Sequence, residues 1–171
     1  AELTPTETLA AHHGSASTLC WPTAQIAYSG SMDGTVREWQ IDVASPSATL
    51  TGQAAVLCLD VSLSSKLIAT GHTDHTLRVW DGRLQQASMQ LKLSHKGWVS
   101  GVCWSKANEH LLVSSCYDGI VRLWDVRSSL PLHQLTKHDG KAFCLAWDGD
   151  EHVVSGGEDA QLRVTRVALP G

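Results

Sequence analysis

The sequence predicts an all-β domain in which similar antiparallel sheets stack face to face. Three observations support this prediction: an internal repeat, a two-residue periodicity within each repeat, and strands that are apolar on both faces. Aligned on one aspartate, the four repeats read YSGSMDGTVREWQ, ATGHTDHTLRVWD, VSSCYDGIVRLWD and VSGGEDAQLRVTR. The aspartates, separated by 41, 44 and 41 residues, are Asp33, Asp74, Asp118 and Asp159.

Each repeat carries further residues at fixed distances from its aspartate. Six residues after it stand Trp39, Trp80, Trp124 and, in the last repeat, Thr165. Four residues before it stand Ser29, Thr70, Ser114 and Ser155. Further upstream, three repeats have a histidine (His12, His95 and His138), where the second has Gly52. Chance does not produce this register, so the repeat is genuine.

Within each repeat the pattern is that of short paired strands. Stretches such as TLRVW and IVRLW alternate with period two, and MDG and YDG are tight-turn sequences. The strand after each histidine has one mostly bulky and one mostly small apolar stripe, which predicts burial on both faces. Stacking around an axis buries both faces of such sheets, so the repeats predict a β-propeller. The stretches SATL, QLKL and HQL, and TETLAA near the N-terminus, could each supply an outermost strand, whereas the fourth repeat has no such stretch after it.

Composition limits the classes of function. The 171 residues include 13 basic and 17 acidic side chains, a formal charge of -4, and no lysine or arginine cluster, which argues against direct nucleic-acid contact. Apolar runs are far shorter than the ~20 residues that cross a bilayer, so no membrane association is expected. Five cysteines, an odd number, do not indicate a disulfide framework and are read as buried small residues in a reducing compartment.

The stretch GHTDHT places His72, Asp74 and His75 at a spacing that suggests metal ligands. However, Asp74 is the second repeat's copy of the turn aspartate that all four repeats have. The two histidines stand where the other repeats have unrelated residues. A thiol nucleophile at Cys116 has no histidine specified by spacing. We therefore expect no metal, no cofactor and no enzyme activity. A metal-dependent hydrolase is kept as an alternative hypothesis, which metal analysis of the purified chain would test.

Some positions vary among the repeats and are candidates for partner binding. Trp98 and Tyr117 are large aromatics that the repeat itself does not require, and both are predicted near loop ends on one rim, where aromatic side chains make strong contacts. His72 and Met32 are further candidates on the same rim. Trp98 packed onto the neighbouring blade is the alternative interpretation.

The arginines that follow each aspartate by four residues have two interpretations. They could form a basic ring for phosphate, or their stems could cover blade faces while their charged heads reach water. The second interpretation is favoured. These arginines are Arg37, Arg78, Arg122 and Arg163.

The period and the Trp-Asp pairs at positions 80–81 and 124–125 resemble the WD repeat. The resemblance implies a hydrogen-bonded chain of loop histidine, strand serine or threonine, turn aspartate and strand tryptophan. It implies complete sets in two repeats (His12, Ser29, Asp33, Trp39; His95, Ser114, Asp118, Trp124) and shorter ones in the others (Thr70, Asp74, Trp80; His138, Ser155, Asp159), whose blades should be less stable. The repeats span approximately 9–43, 50–83, 91–127 and 134–167.

The stretches LTGQAAVLCLDVSLSSKLIATGHTDHTLRVWDGR and SHKGWVSGVCWS, with the missing histidine of the second repeat and the lost Trp-Asp of the fourth, are similar to one family. It is the family of WD-repeat subunits of the nucleolar pescadillo complex, which acts in biogenesis of the large ribosomal subunit. The resemblance implies a C-terminal fragment with four blades of a seven-bladed propeller. The upstream ubiquitin-like domain of the family is not in this sequence.

The same resemblance implies a non-enzymatic scaffold that joins pescadillo and the block-of-proliferation protein on pre-ribosomal particles. It would act in the nucleus, in nucleolus and nucleoplasm. The alternative is a WD-repeat receptor or adaptor that binds a linear peptide on its top face. Because four blades leave apolar faces uncovered, we also expect self-association that closes the ring unless other blades do so.

Overall fold

The computed structural model describes residues 8–43, 45–83, 89–148 and 151–167. Within these ranges it contains fifteen β-strands and one short 3-10 turn, Ile41–Val43. The strands are β1 (Ala16–Cys20), β2 (Ile26–Ser31), β3 (Thr35–Gln40), β4 (Pro46–Thr51), β5 (Val56–Val61), β6 (Leu67–His72), β7 (Thr76–Asp81), β8 (Met89–Ser94), β9 (Val99–Trp104), β10 (Leu111–Cys116), β11 (Ile120–Asp125), β12 (Pro131–Lys137), β13 (Ala142–Trp147), β14 (His152–Gly157) and β15 (Leu162–Arg166). None of the described residues forms a helix of the length and apolar character that membrane crossing requires.

The strands form four antiparallel sheets, one per repeat, which we call blades 1 to 4. Three blades have four strands each, in the orders β1-β2-β3-β4, β5-β6-β7-β8 and β9-β10-β11-β12. The outermost strands contain the stretches SATL, QLKL and HQL, which confirms that part of the prediction. Blade 4 has three strands, β13-β14-β15, in the described residues. Part of the TETLAA stretch lies outside the described residues.

Adjacent blades pack through three hydrophobic clusters, each made by two consecutive repeats. Tyr28 and Val36 of blade 1 pack with Leu59 and Trp80 of blade 2. Trp104 and Trp124 of blade 3 belong to a second cluster, in which they pack with Leu77 and other residues of blade 2. The third cluster joins blade 3 to Trp147 of blade 4 and its neighbours. The inner strands β1, β5, β9 and β13 therefore follow one another in chain order, as a propeller arc requires.

The two ends of the arc expose apolar side chains that are buried at equivalent positions inside it. On blade 1, Leu19 is 66% exposed, whereas its equivalent Leu59 in blade 2 is 6% exposed. On blade 4, Leu162 is 77% exposed, whereas its equivalent Val121 in blade 3 is fully buried. Trp21 and Val164 are exposed in the same way at the two ends. Blades 1 and 4 therefore each expose an apolar face, and the equivalent faces of the inner blades are covered by a neighbouring blade.

Candidate interaction surface

One edge of the blades, which we call the upper rim, is built from the loop before each inner strand and the turn between the second and third strands. The same backbone hydrogen bond joins loop and turn in every blade. The turn residues Met32, Thr73, Tyr117 and Glu158 donate their N–H groups to the carbonyls of Ser15, Ala55, Trp98 and Lys141, at 2.8 to 3.2 Å. The rim is therefore a repeated backbone frame that presents two side chains per blade.

Below the rim, blade 1 contains the full hydrogen-bonded chain that the resemblance implied. His12 Nε2 lies 2.6 Å from Ser29 Oγ, and Trp39 Nε1 donates to the same hydroxyl at 2.8 Å. His12 Nδ1 lies 3.2 Å from Asp33 Oδ2. The Asp33 carboxylate also accepts the backbone N–H of His13, so this residue ties the loop to the turn.

Blade 4 keeps the loop half of this chain. His138 bonds Ser155 Oγ through Nε2 at 2.8 Å and Asp159 Oδ1 through Nδ1 at 2.9 Å. Thr165 replaces the tryptophan, so Ser155 has no indole donor. The shorter chain expected for this repeat is present.

Blade 3 makes the chain with one change. His95 Nε2 and Trp124 Nε1 both lie 2.8 Å from Ser114 Oγ, as expected. However, Asp118 does not bond His95; instead its carboxylate accepts two hydrogen bonds from the Arg122 guanidinium, at 2.6 and 3.1 Å. The expected histidine–aspartate link is therefore replaced by an ion pair.

In blade 2, the histidine of the chain comes from the strand and not from the loop. His72 is 1% exposed, and its Nε2 lies 2.8 Å from Thr70 Oγ1, which also accepts from Trp80 Nε1. Because Gly52 has no side chain, the imidazole fits into the space of the missing loop histidine, with its Cε1 3.5 Å from where a Cβ on Gly52 would be. The expectation that His72 lies on the binding rim is therefore wrong, and blade 2 has a histidine that was not foreseen.

Two of the repeated arginines also belong to this buried layer. Arg78 and Arg122 are each 6% exposed, and their guanidinium groups pair with the turn aspartates Asp74 and Asp118. Arg163 pairs with Asp159 in blade 4. The expectation that these charged heads reach water is wrong for Arg78 and Arg122, because each aspartate four residues earlier holds them inside the blade.

Burial of two histidines makes the stability of the chain dependent on pH. Burial is the main cause that lowers the pKa of both His72 and His95 from 6.5 to about 4. Between these two pH values the unfolded chain binds protons that the folded chain does not. The contribution of the two neutral histidines to the free energy of unfolding is therefore fully present above pH 6.5 and decreases as the pH drops toward 4. We expect thermal melts to show this fall, and His72→Gln to reduce its slope. His75→Gln, at an exposed turn position, should leave the slope unchanged; an equal slope in all three proteins would contradict the assignment.

The geometry of GHTDHT is that of a turn. Asp74 accepts hydrogen bonds from Thr76 Oγ1 at 2.6 Å and from the Arg78 guanidinium at 2.5 Å. His72 points inward, and its Nδ1 lies 3.0 Å from the Ala54 carbonyl oxygen. His75 is exposed and occupies the left-handed turn position, with φ of 66°. The residues described by the structure contain no group of three or more His, Cys, Asp or Glu side chains that could hold a metal ion.

Three aromatic rings, which we call the aromatic shelf, cross the upper rim from blade 3 to blade 4. Trp98 stacks on Tyr117 with ring centroids 5.5 Å apart, and Phe143 meets Tyr117 edge-on at 5.7 Å. Trp98 and Phe143 remain 44% and 45% exposed. The structure thus places the predicted candidates Trp98 and Tyr117 together. Met32, 50% exposed, occupies on blade 1 the position equivalent to Tyr117.

Sequence reasoning missed Phe143 as a rim residue. Phe143 lies in the inner strand β13, for which the apolar pattern of the sequence predicts burial on both faces. Its equivalents in blades 1 and 3 are the serines Ser17 and Ser100, whose hydroxyls bond backbone carbonyls of the next blade. That change from serine to a large aromatic was the available signal.

The fold and the rim define the class of protein, and comparisons with known proteins agree. The family model described as "WD domain, G-beta repeat" matches residues 3–40, and the model "Anaphase-promoting complex subunit 4 WD40 domain" matches residues 62–150. Among solved structures, U3-55K superposes with a TM-score of 0.85 at 22% identity, covering 93% of this chain and 51% of that one. The computationally designed Ika4 protein gives 0.82 at 24% identity, covering 96% of this chain and all of that one. The chain is a WD-repeat protein.

Curated relatives place it more narrowly. The "Ribosome biogenesis protein WDR12 homolog" of Chlamydomonas reinhardtii is 35% identical over 167 residues, and the protein of that name from Oryza sativa subsp. japonica is 38% identical over 160 residues. These alignments cover 91% and 92% of this chain but only 38% and 37% of the relatives. The chain belongs to this family of WD-repeat proteins and spans less than two-fifths of the length of these relatives.

Proposed function

We propose that the chain is part of a non-enzymatic interaction scaffold in ribosome biogenesis. The names of its relatives support a role in ribosome biogenesis. The blade architecture supports a scaffold, because a propeller offers rigid surfaces to which other proteins can bind. The proposed partners are pescadillo and the block-of-proliferation protein, met on pre-ribosomal particles during maturation of the large subunit. The proposed location is the nucleus, in nucleolus and nucleoplasm.

The observation that carries the proposal is the aromatic shelf on the upper rim. Large aromatic side chains are costly to leave in water and are enriched among residues that dominate binding energy. The repeat needs none of the three aromatic rings, since the other blades have serine, alanine, leucine, methionine, threonine or charged residues at these positions. A receptor for a linear peptide would use the same rim, so the two functions differ in the partner recovered.

Trp98→Ala should reduce recovery of pescadillo with the tagged chain from cell extracts. A hot-spot truncation typically costs at least ~2 kcal/mol of binding free energy, so a loss of roughly thirtyfold in affinity is expected. Met89→Ala provides the control, because it removes a side chain that is 46% exposed from the outer strand of blade 2, away from the rim. Both variants should keep the melting temperature of the parent chain.

Two results would contradict the proposal. One is the absence of pescadillo and of the block-of-proliferation protein from material recovered with the parent chain. The other is equal recovery with Trp98→Ala and with the parent chain, which would exclude the shelf as the contact.

A further inference from the structure

The aromatic shelf is a rigid surface whose position is fixed by the backbone. The Tyr117 N–H donates to the Trp98 carbonyl at 2.8 Å, which joins the two residues that stack. A Cβ on Gly97 would lie only 3.1 Å from the Asp118 backbone nitrogen, so loop and turn are in close contact beside the shelf. A surface that is ordered before binding loses little conformational entropy when a partner docks.

A polar cleft of about 450 Å³ lies beside the shelf, between the turn of blade 3 and the loop of blade 4. Tyr117 lines both the shelf and the cleft, so a single ligand can occupy the two together. The other lining residues are Asp118, Lys137, His138, Asp139, Gly140, Lys141 and Glu158. A ligand that covers both blades must be extended, because shelf and cleft follow the rim.

The charges around the shelf and cleft leave a small cationic excess. Lys141 and Glu158 pair with each other at 3.3 Å, and the Lys141 ammonium also lies 5.7 Å from the centre of the Tyr117 ring. Asp118 is neutralised by Arg122. Among the described residues that line the cleft, the exposed Lys137 and Asp139 form no ion pair, and neither does the exposed Lys96 in the loop of blade 3. Lys96 lies two residues before Trp98, and Lys137 lines the cleft.

We propose that the shelf and cleft together bind an extended protein segment that presents an apolar side chain flanked by acidic residues. The apolar group would cover Trp98 and Phe143, and its acidic neighbours would lie near Lys96 and Lys137. This inference rests on the proposed function and specifies the chemistry that the partner presents.

Two other ligand classes fit these residues less well. A cationic segment would bring its charge beside Lys96, Lys137 and Lys141. Single-stranded RNA could stack on the rings, but its backbone requires a basic groove, whereas this chain carries a formal charge of -4. Both classes are included in the test.

The test is fluorescence anisotropy with three labelled probes and the purified chain. The first is a short peptide with one phenylalanine flanked by glutamates, the second has lysine in place of each glutamate, and the third is an oligouridylate of similar length. We expect the acidic peptide to bind about tenfold more tightly than either other probe, and its affinity to fall as salt is added. Tighter binding of the lysine peptide or of the oligouridylate would overturn the proposal.

Variants locate the binding and separate this proposal from the scaffold proposal. Trp98→Ala should weaken binding of the acidic peptide about tenfold, and Lys96→Ala should weaken it less and reduce its salt dependence. Met89→Ala, on the outer strand of blade 2, should have no effect. An equal affinity of Trp98→Ala and the parent chain for the peptide would overturn the assignment to the shelf. Recovery of pescadillo with the tagged chain tests the scaffold proposal independently. If pescadillo is recovered but the acidic peptide does not bind, only the proposed chemistry of the bound segment is rejected.

Discussion

Asp118→Ala should lower the free energy of unfolding by about 3–5 kcal/mol, the cost of removing one partner from a buried ion pair. The Asp118 and Arg122 side chains are 9% and 8% exposed, so the guanidinium that remains would be buried without its counter-charge. Asp118 also accepts the backbone N–H of Ile120, which closes the turn. Urea denaturation measures the loss, and the melting temperature should fall on the order of 10 °C.

Two variants separate the ion pair from general effects of charge. Glu151→Ala removes a carboxylate that pairs with Arg166 at the surface, where both side chains are exposed, and should cost less than about 1 kcal/mol. Combining Asp118→Ala with Arg122→Met removes both charges and should restore part of the lost stability. An unchanged melting temperature for Asp118→Ala would show that the pair does not hold the blade.

The purified chain should self-associate in solution with a strong dependence on concentration. Leu19 and Trp21 at one end and Leu162 and Val164 at the other are more than 60% exposed, on faces that pack against a neighbouring blade elsewhere in the chain. Burial of such side chains is worth about 1.5–3 kcal/mol each, so contact between the two kinds of face is favoured. Sedimentation velocity over a range of concentrations measures the association.

Polar substitutions on the exposed faces of blades 1 and 4 should weaken this self-association. Leu19→Ser and Leu162→Ser should each shift the distribution toward monomer. Met89→Ser, at an exposed apolar position on the outer strand of blade 2, is the control and should leave it unchanged. A stable, monodisperse monomer of the parent chain at all concentrations would exclude the association.

The repeat in the sequence predicted the blades and most of their hydrogen-bonded chains, because spacing fixes which residues share a position in the sheet. It did not predict the direction of every side chain. His72 lies two residues from Thr70, and alternate residues of a strand share a face, so its ring reaches the threonine once Gly52 leaves space. Reading His72 as a turn residue concealed that geometry.

The arginines were misplaced for a related reason. Arg78 and Arg122 pair across the sheet with Thr70 and Ser114, as shown by the register of the strands. Cross-strand partners share a face, so both guanidinium groups lie on the side of the buried chain. Exposure of the rim residues could not be predicted, since it depends on how neighbouring blades pack and not on position within one repeat.

The repeated bond between loop and turn has a consequence for how such a protein acquires new partners. Main-chain atoms make the bond, so the two side chains that each blade presents are free to change while the frame is kept. The four blades have four different pairs of residues at this one structural position: Ser15 with Met32, Ala55 with Thr73, Trp98 with Tyr117, and Lys141 with Glu158. Mutation can therefore alter what one blade recognises while the neighbouring blades, and the stability of the whole, are left intact.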